Sequence, residues 1–270
     1  MTVPLWAGFE CGRLPWNGHD LLQTTGHLPG GGMERHYDQA LQHGVSAARD
    51  GLVPGHDPAA RLAAAGAVPV VWDLMHFTRP ENPWRHAEAA AAALEVSGRA
   101  VDRLLAVNEP SVAGVSGIHW ADATALAVAM MHAAAGVCAA SFVTCDPIHD
   151  LADGTLAATD VLVGTGLITA VGVNYYPHHA RESLADILRG VAGRYGLPVI
   201  VTETGWHDGL PEAHARFPHV GDRRGWPDHV RAEIARSGVL VEGLCWYPWL
   251  DMPAWDAPHT GERWPCGWAA

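Results

Sequence analysis

Two glutamates, Glu109 and Glu203, each stand directly after a short apolar run, in Asn108-Glu109-Pro110 and Thr202-Glu203-Thr204-Gly205-Trp206. A pair of carboxyls placed on either side of one bond can divide acid and nucleophile work between them. The protonated carboxyl donates to a leaving oxygen while the ionised one attacks or activates water, which is the chemistry of glycosidic cleavage. A cation near Glu203 would keep it ionised, and Arg49 is the candidate. Glu109 in apolar, aromatic surroundings beside Asn108 would be kept protonated by desolvation. Pro110 takes away a backbone donor and turns the chain away from the strand, and Asn108 offers an amide to a sugar hydroxyl. A lone glutamate at a strand end is usually a solvated loop residue. Two, each framed by Asn, Trp or Gly, make that reading the weaker one.

For the two to meet, the elements that carry them must bring their ends together. Eight apolar runs recur along the chain: Val3–Phe9, Val45–Ala48, Val68–Met75, Arg103–Val107, Ser141–Cys145, Ala170–Tyr175, Pro198–Thr202 and Leu240–Tyr247. Helical stretches alternate with them at Met33–His43, Pro58–Ala65, Trp84–Ser97, Ala121–Ala139, Thr155–Gly164 (the weakest), Arg181–Tyr195 and Trp226–Ser237. Near-continuous apolar strands alternating with helices predict a parallel sheet covered on both faces. Eight of them close most simply into an α/β fold of the (β/α)₈ TIM-barrel type, over one domain spanning residues 1–270. An open doubly wound sheet would want a glycine-rich phosphate turn after its first strand, and Glu10-Cys11-Gly12-Arg13 lacks that spacing. In a barrel the active site lies at the C-terminal strand ends. Arg49, His76, Asn108, Glu109, Asn174, Tyr175, Tyr176, Glu203, Trp206, Trp246 and Trp249 are all placed there or just beyond. Pro248–Pro265 reads as a Pro/Trp-rich tail over the mouth.

Composition narrows the function classes. Lys and Arg number 17 against 29 Asp and Glu, giving a net charge of −12 with no basic block, so nucleic acid and anionic membrane surfaces are not expected partners. No signal peptide or membrane span is expected, and five scattered cysteines without a CxxC predict reduced thiols and a cytoplasmic setting. Twelve Trp against four Phe suits flat contacts to sugar rings as well as core packing.

Some residues keep two readings. Tyr176 is a site residue or a packed aromatic, and Trp246 a sugar platform or core filler. Glu10 and Asp73 are sugar ligands or buried ion-pair partners, and His207 lines the cleft or sits on a surface loop. Seventeen histidines raise the question of a metal. Adjacent His178 and His179 would point to opposite sides of an extended segment, and no HExxH occurs. No metal or other cofactor is therefore expected. A metal-dependent barrel hydrolase and a sugar-binding barrel without turnover remain rivals.

Taken together and in order, these motifs resemble the clan-A retaining glycosidases, nearest to the family 1 β-glucosidase type. The resemblance implies a (β/α)₈ barrel and a small β-glycoside substrate, with Glu109 as acid/base and Glu203 as nucleophile. Gly44-Val45-Ser46-Ala47-Ala48-Arg49 is similar to the segment whose Arg pairs with the nucleophile. Val70–Phe77 resembles the segment ending in a sugar-binding His, here His76. Gly172-Val173-Asn174-Tyr175-Tyr176 resembles the segment whose Tyr, here Tyr176, hydrogen-bonds the nucleophile. Trp246, Asp251 and Trp255 resemble the eighth-strand motif with one residue inserted. The implied sugar-binding set is Glu10, His76, Asn108, Asn174, Tyr175, Trp206, Trp246 and Trp249. The chain is shorter than a typical member. It carries Pro253 or Ala254 where the family has a sugar-gripping Glu, and Phe9-Glu10-Cys11-Gly12 lacks the usual Gln.

Overall fold

The computed structural model describes residues 3–12, 20–112, 119–152, 154–253, 263–264 and 266–268. The barrel strands are β1 (Leu5–Gly8), β2 (Ala47–Gly51), β3 (Val70–Asp73), β4 (Arg103–Leu105), β5 (Ser141–Val143), the short β6 (Asp146–Pro147) that prolongs it, β7 (Ile168–Asn174), β8 (Val199–Thr204) and β9 (Val241–Trp246). Every pairing among them is parallel, and β1 pairs with both β2 and β9 while β5 pairs with both β4 and β7, so the sheet closes. Counting β5 and β6 as one staggered strand gives the expected eight-stranded (β/α)₈ barrel.

Nine helices are seen among the described residues: α1 (Leu21–Thr25), α2 (Gly32–Gln42), α3 (Pro58–Ala64), α4 (Pro83–Ser97), α5 (Trp120–Ala135), α6 (Ala157–Gly164), α7 (Leu184–Tyr195), α8 (Pro211–Arg216) and α9 (Trp226–Ser237). Local signals set their ends. In α7, Ser183 accepts a hydrogen bond from Asp186 N at the start, and Gly196 closes the other end at φ 63°, a conformation glycine adopts without a Cβ penalty. No helix among the described residues is long and apolar enough to cross a membrane.

The main apolar core lies between strands and helices, and a second layer of Val71, Leu105, Val143, Cys145, Ala170 and Ile200 fills the barrel. At the barrel's lower end, Arg103 Nη1 pairs with Glu242 Oε2 at 2.6 Å. The site therefore rests on a packed floor rather than over a pore.

Two corrections matter for the site. β2 runs over Ala47–Gly51, not Val45–Ala48, so Arg49 sits within the strand rather than after it. The alternation of strand side chains then turns Arg49 into the barrel and Asp50 out toward the helices. Asp50 anchors a buried outer network there, accepting from Arg61 Nη2 at 2.5 Å and Tyr37 OH at 3.0 Å, with His27 Nε2 2.9 Å away. The helices α1 and α8 were not foreseen: at five and six residues they are too short to show a helical period.

Candidate active site

The C-terminal strand ends open into a cavity of about 760 Å³, lined among others by His76, Asn108, Glu109, Tyr176, Glu203, Trp206 and Tyr247. Both glutamates thus stand at the same end of the barrel and share one space.

Glu203 lies on β8 and is 3% exposed. Its Oε1 accepts from Arg49 Nη1, and its Oε2 accepts from Tyr176 OH at 2.6 Å. Arg49 reaches it from β2. Its other donors are held too: Nε and Nη2 donate to the two oxygens of Asp73 at 2.9 and 2.6 Å, and Nη2 also donates to Asn108 Oδ1 at 2.8 Å. Burial works against the charge on Arg49, but Asp73 and Glu203 outweigh it and its pKa is raised. Burial and the Glu203 charge raise that of Tyr176, so its hydroxyl stays a donor. One carboxylate oxygen of Glu203 is thus fixed by a cation and the other by a phenol, which sets its orientation. The tight spacing of the motif has its own reason. A Cβ at Gly205 would come within 2.2 Å of Tyr247 O, so the chain leaving β8 passes the end of β9 at a distance only glycine permits.

Glu109 has different neighbours. It follows β4 with its N–H donating to Cys145 O at 2.9 Å. It is the one non-glycine residue with positive φ among the described residues, at 45°. Pro110 makes that conformation harder still to adopt, and such strain is held where the surroundings over-determine it. No cation touches its side chain among the described contacts. Instead Asn174 Nδ2 donates to Glu109 Oε1 at 2.7 Å. Burial first, and the nearby Glu203 charge second, push its pKa up to about 7. The expectation was a neighbouring Asn108; the contact comes from Asn174.

Asn108 and His76 belong to the Arg49 side. His76 Nδ1 donates to Asp73 Oδ2 at 2.9 Å, and its Nε2 lies 3.2 Å from Asn108 Nδ2. Burial would lower its pKa, but Glu10 and Asp73 raise it. Glu10 and Asp73 are both held by protein groups. Asp73 is an ion-pair partner of Arg49. Glu10 Oε1 accepts from the Cys11 and Gly12 N–H groups at 2.9 and 2.8 Å, and its Oε2 accepts from Tyr247 OH. Among the described residues one group, Glu10, Cys11 and His76, has donor atoms close enough to hold a metal ion. Both oxygens of Glu10 and the Nδ1 of His76 already make hydrogen bonds within the protein.

Three aromatic residues expected to touch substrate lie elsewhere. Tyr175 is 1% exposed, donates to Glu182 O at 3.0 Å and stacks on Trp226, so it faces the helices. Trp246 donates to Cys266 O at 3.2 Å and meets Trp268 edge-on. Trp249 stacks on Trp268 and packs against His43. All three are part of the outer core. Asn174 is fully buried and reaches Glu109 rather than the open cavity. Trp206 and His207 do line the cavity. Of the tail, Pro248 and Met252 also line it, as does Cys266 just beyond, whereas Ala254 and Trp255 lie outside the described residues.

Other lining residues were not anticipated as a group. His149, His178, His179 and His207 form one side of the cavity. Burial lowers the pKa of each, to about 4 for His149 and His178, so this side is uncharged at neutral pH. Cys145, after β5, is the other residue the sequence reading passed over. Its signal in the sequence is the polar segment Thr144-Cys145-Asp146 at the end of the apolar run Ser141–Cys145.

The fold and the site together make a parallel eight-stranded barrel with two buried carboxyls at its mouth, one tied to a cation and the other to a neutral amide. No protein-family model and no curated protein matches the chain. Solved structures do match it. The chain is similar to a hyperthermophilic β-glucosidase mutant at 14% identity and TM-score 0.66, with 98% of this chain and 97% of that one covered. It is also similar to the family 1 β-glucosidase from Thermotoga maritima (12%, 0.59, covering 98% and 91%). A fungal β-1,4-galactanase matches at 16% and 0.60, covering 98% and 93%. The fold that the motifs led one to expect is therefore shared with these proteins over nearly the whole chain, and at such identities what is shared is the fold.

Proposed function

We propose that the protein is a retaining β-glycosidase that hydrolyses small β-glycosides by double displacement. Glu203 is the nucleophile, Glu109 the acid and then the base, and Arg49 and Tyr176 hold the nucleophile. The observation that carries this reading is the contrast between the two carboxyls in one cavity: Arg49 and Tyr176 fix Glu203, while the Glu109 side chain is held by the neutral amide of Asn174 and has its pKa raised. In the first step Glu109 protonates the leaving oxygen as Glu203 attacks the anomeric carbon. In the second, the ionised Glu109 takes a proton from water, which displaces Glu203 from the sugar. His76, Asn108 and Trp206 are the side chains at the cavity wall available to bind the sugar. The resemblance to solved β-glucosidases and a galactanase supports the substrate class.

The deciding test is turnover of a panel of chromogenic aryl β-glycosides with and without chelator, reading by NMR the anomer first released. A β-anomer released first, unaffected by chelator, is expected. An α-anomer first, or loss of activity on chelation, would overturn the assignment, and binding without turnover would point to a sugar-binding barrel instead.

The pH profile is a second check. Glu109 must be protonated for the first step, and its raised pKa means that the acid form persists up to about 7. As pH rises through that value the acid form is lost, so kcat/KM should fall on the alkaline side with a midpoint near 7. In Glu109→Gln that limb should disappear.

A further inference from the structure

An amide can present either its oxygen or its nitrogen, and for Asn174 the choice matters because Glu109 lies on one side of it. Asn174 is fully buried, so its orientation is set by its neighbours alone. Thr202 Oγ1 donates to Asn174 Oδ1 at 2.9 Å, and Cys145 Sγ donates to the same oxygen at 3.1 Å. Burial, with the nearby carboxylates, raises the pKa of Cys145 far enough to keep it a thiol and hence a donor. With two donors on Oδ1, Nδ2 is left to face Glu109 Oε1, where it sits at 2.7 Å.

We infer that Cys145 and Thr202 are positioning residues of Glu109, acting through Asn174: they turn its amide so that Nδ2 holds Oε1 and the proton for the leaving group is carried on Oε2. In the opposite orientation Asn174 Oδ1 would face Glu109 and accept that proton. The acid would then be stabilised in its protonated form and turned from the substrate, which makes it a weaker donor. This rests on the reading of Glu109 as the acid. Cys145 Sγ lies equally 3.1 Å from Asn108 Oδ1 and shares its one proton between the two amide oxygens, so Thr202 is the full donor to Asn174 and Cys145 reinforces it.

The test uses the Thr202→Val/Cys145→Ala double variant, with Thr202→Ser and Cys145→Ser as conservative controls that keep a donor. Glu109 is titrated by carbon NMR of glutamate-labelled protein, its signal assigned with Glu109→Gln. In parallel, kcat/KM is measured on glycosides with dinitrophenol and with methanol as leaving groups. Loss of the donors to the amide oxygen is expected to raise the Glu109 pKa and lower kcat/KM about tenfold for the methyl glycoside, with the dinitrophenyl glycoside, which needs no acid, nearly unchanged. The conservative controls should behave as the wild type. An unchanged Glu109 titration in the folded double variant, or equal losses on both substrates, would overturn the proposal. Should the double variant fail to fold, Thr202→Val alone carries the same comparison. If the wild type turns over no glycoside, the glycosidase reading fails, and the titration, which needs no substrate, still decides the role of Cys145 and Thr202.

Discussion

Glu203→Ala is expected to lower turnover of every glycoside by on the order of 10⁴-fold or more, the scale on which losing a covalent nucleophile acts in other enzymes. Glu109→Ala should behave differently. On poor leaving groups it should lose about 10²–10⁴-fold, the usual contribution of a general acid or base. On dinitrophenyl glycosides it should still form the glycosyl-enzyme and then stall, because no base activates water. Azide needs no base, so it should release that intermediate from the face opposite Glu203 and give the β-glycosyl azide. In Glu203→Ala, azide would enter the space the nucleophile has vacated while Glu109 protonates the leaving group, giving the α-glycosyl azide. The two variants are therefore told apart by the product as well as by rate. Rescue of neither, or the same anomer from both, would remove the roles assigned to this pair.

Arg49→Met is expected to affect the fold as much as the chemistry. The guanidinium is 3% exposed and serves Asp73, Glu203 and Asn108 together. Removing one member of a buried ion pair leaves the other charge uncompensated, at about 3–5 kcal/mol. For a chain of this size that corresponds to a fall in melting temperature of about 6–20 °C. If the uncompensated charge is the cause, adding Glu203→Gln to Arg49→Met should recover part of the loss. A melting temperature for Arg49→Met within 2 °C of the wild type would show that the cluster is not the constraint its geometry suggests.

The barrel was legible in the sequence because its signal is redundant: eight apolar runs alternate with helices, and a shift of two residues in one of them changes nothing in the topology. The site was legible less evenly. Arg49, Glu109, Tyr176 and Glu203 could be placed because each puts polarity within or just beyond an apolar run, where an apolar core would not tolerate it. The direction of neighbouring side chains was the weak point. Tyr175 and Tyr176 are adjacent, and only one can face the barrel axis; the same holds for Trp246 and Tyr247. Reading the period of two outward from Asn174 would have assigned Tyr175 to the helix side. Trp249 illustrates another limit. An aromatic residue beyond a strand end serves equally as sugar platform or core filler, and what decides is Trp268, nineteen residues further on, whose ring covers it. The partner of Glu109 was missed because Asn108 is adjacent in sequence, whereas Asn174 arrives from another strand.

The closure of the barrel also fixes an order of assembly during synthesis. β1 is hydrogen-bonded to β9, with Leu5 beside Leu244, and Trp249 N donates to Gly8 O. β1 thus waits for β9, which is made after all the other barrel strands, and long-range parallel pairing is slow to form. Until β9 leaves the ribosome, β1 and β8 each present an unpaired apolar edge, the kind of surface on which nascent chains aggregate. Arg49 on β2 and Glu203 on β8 lie on either side of that seam. The ion pair at the centre of the site therefore spans that seam, and it ties together the two edges that closure joins.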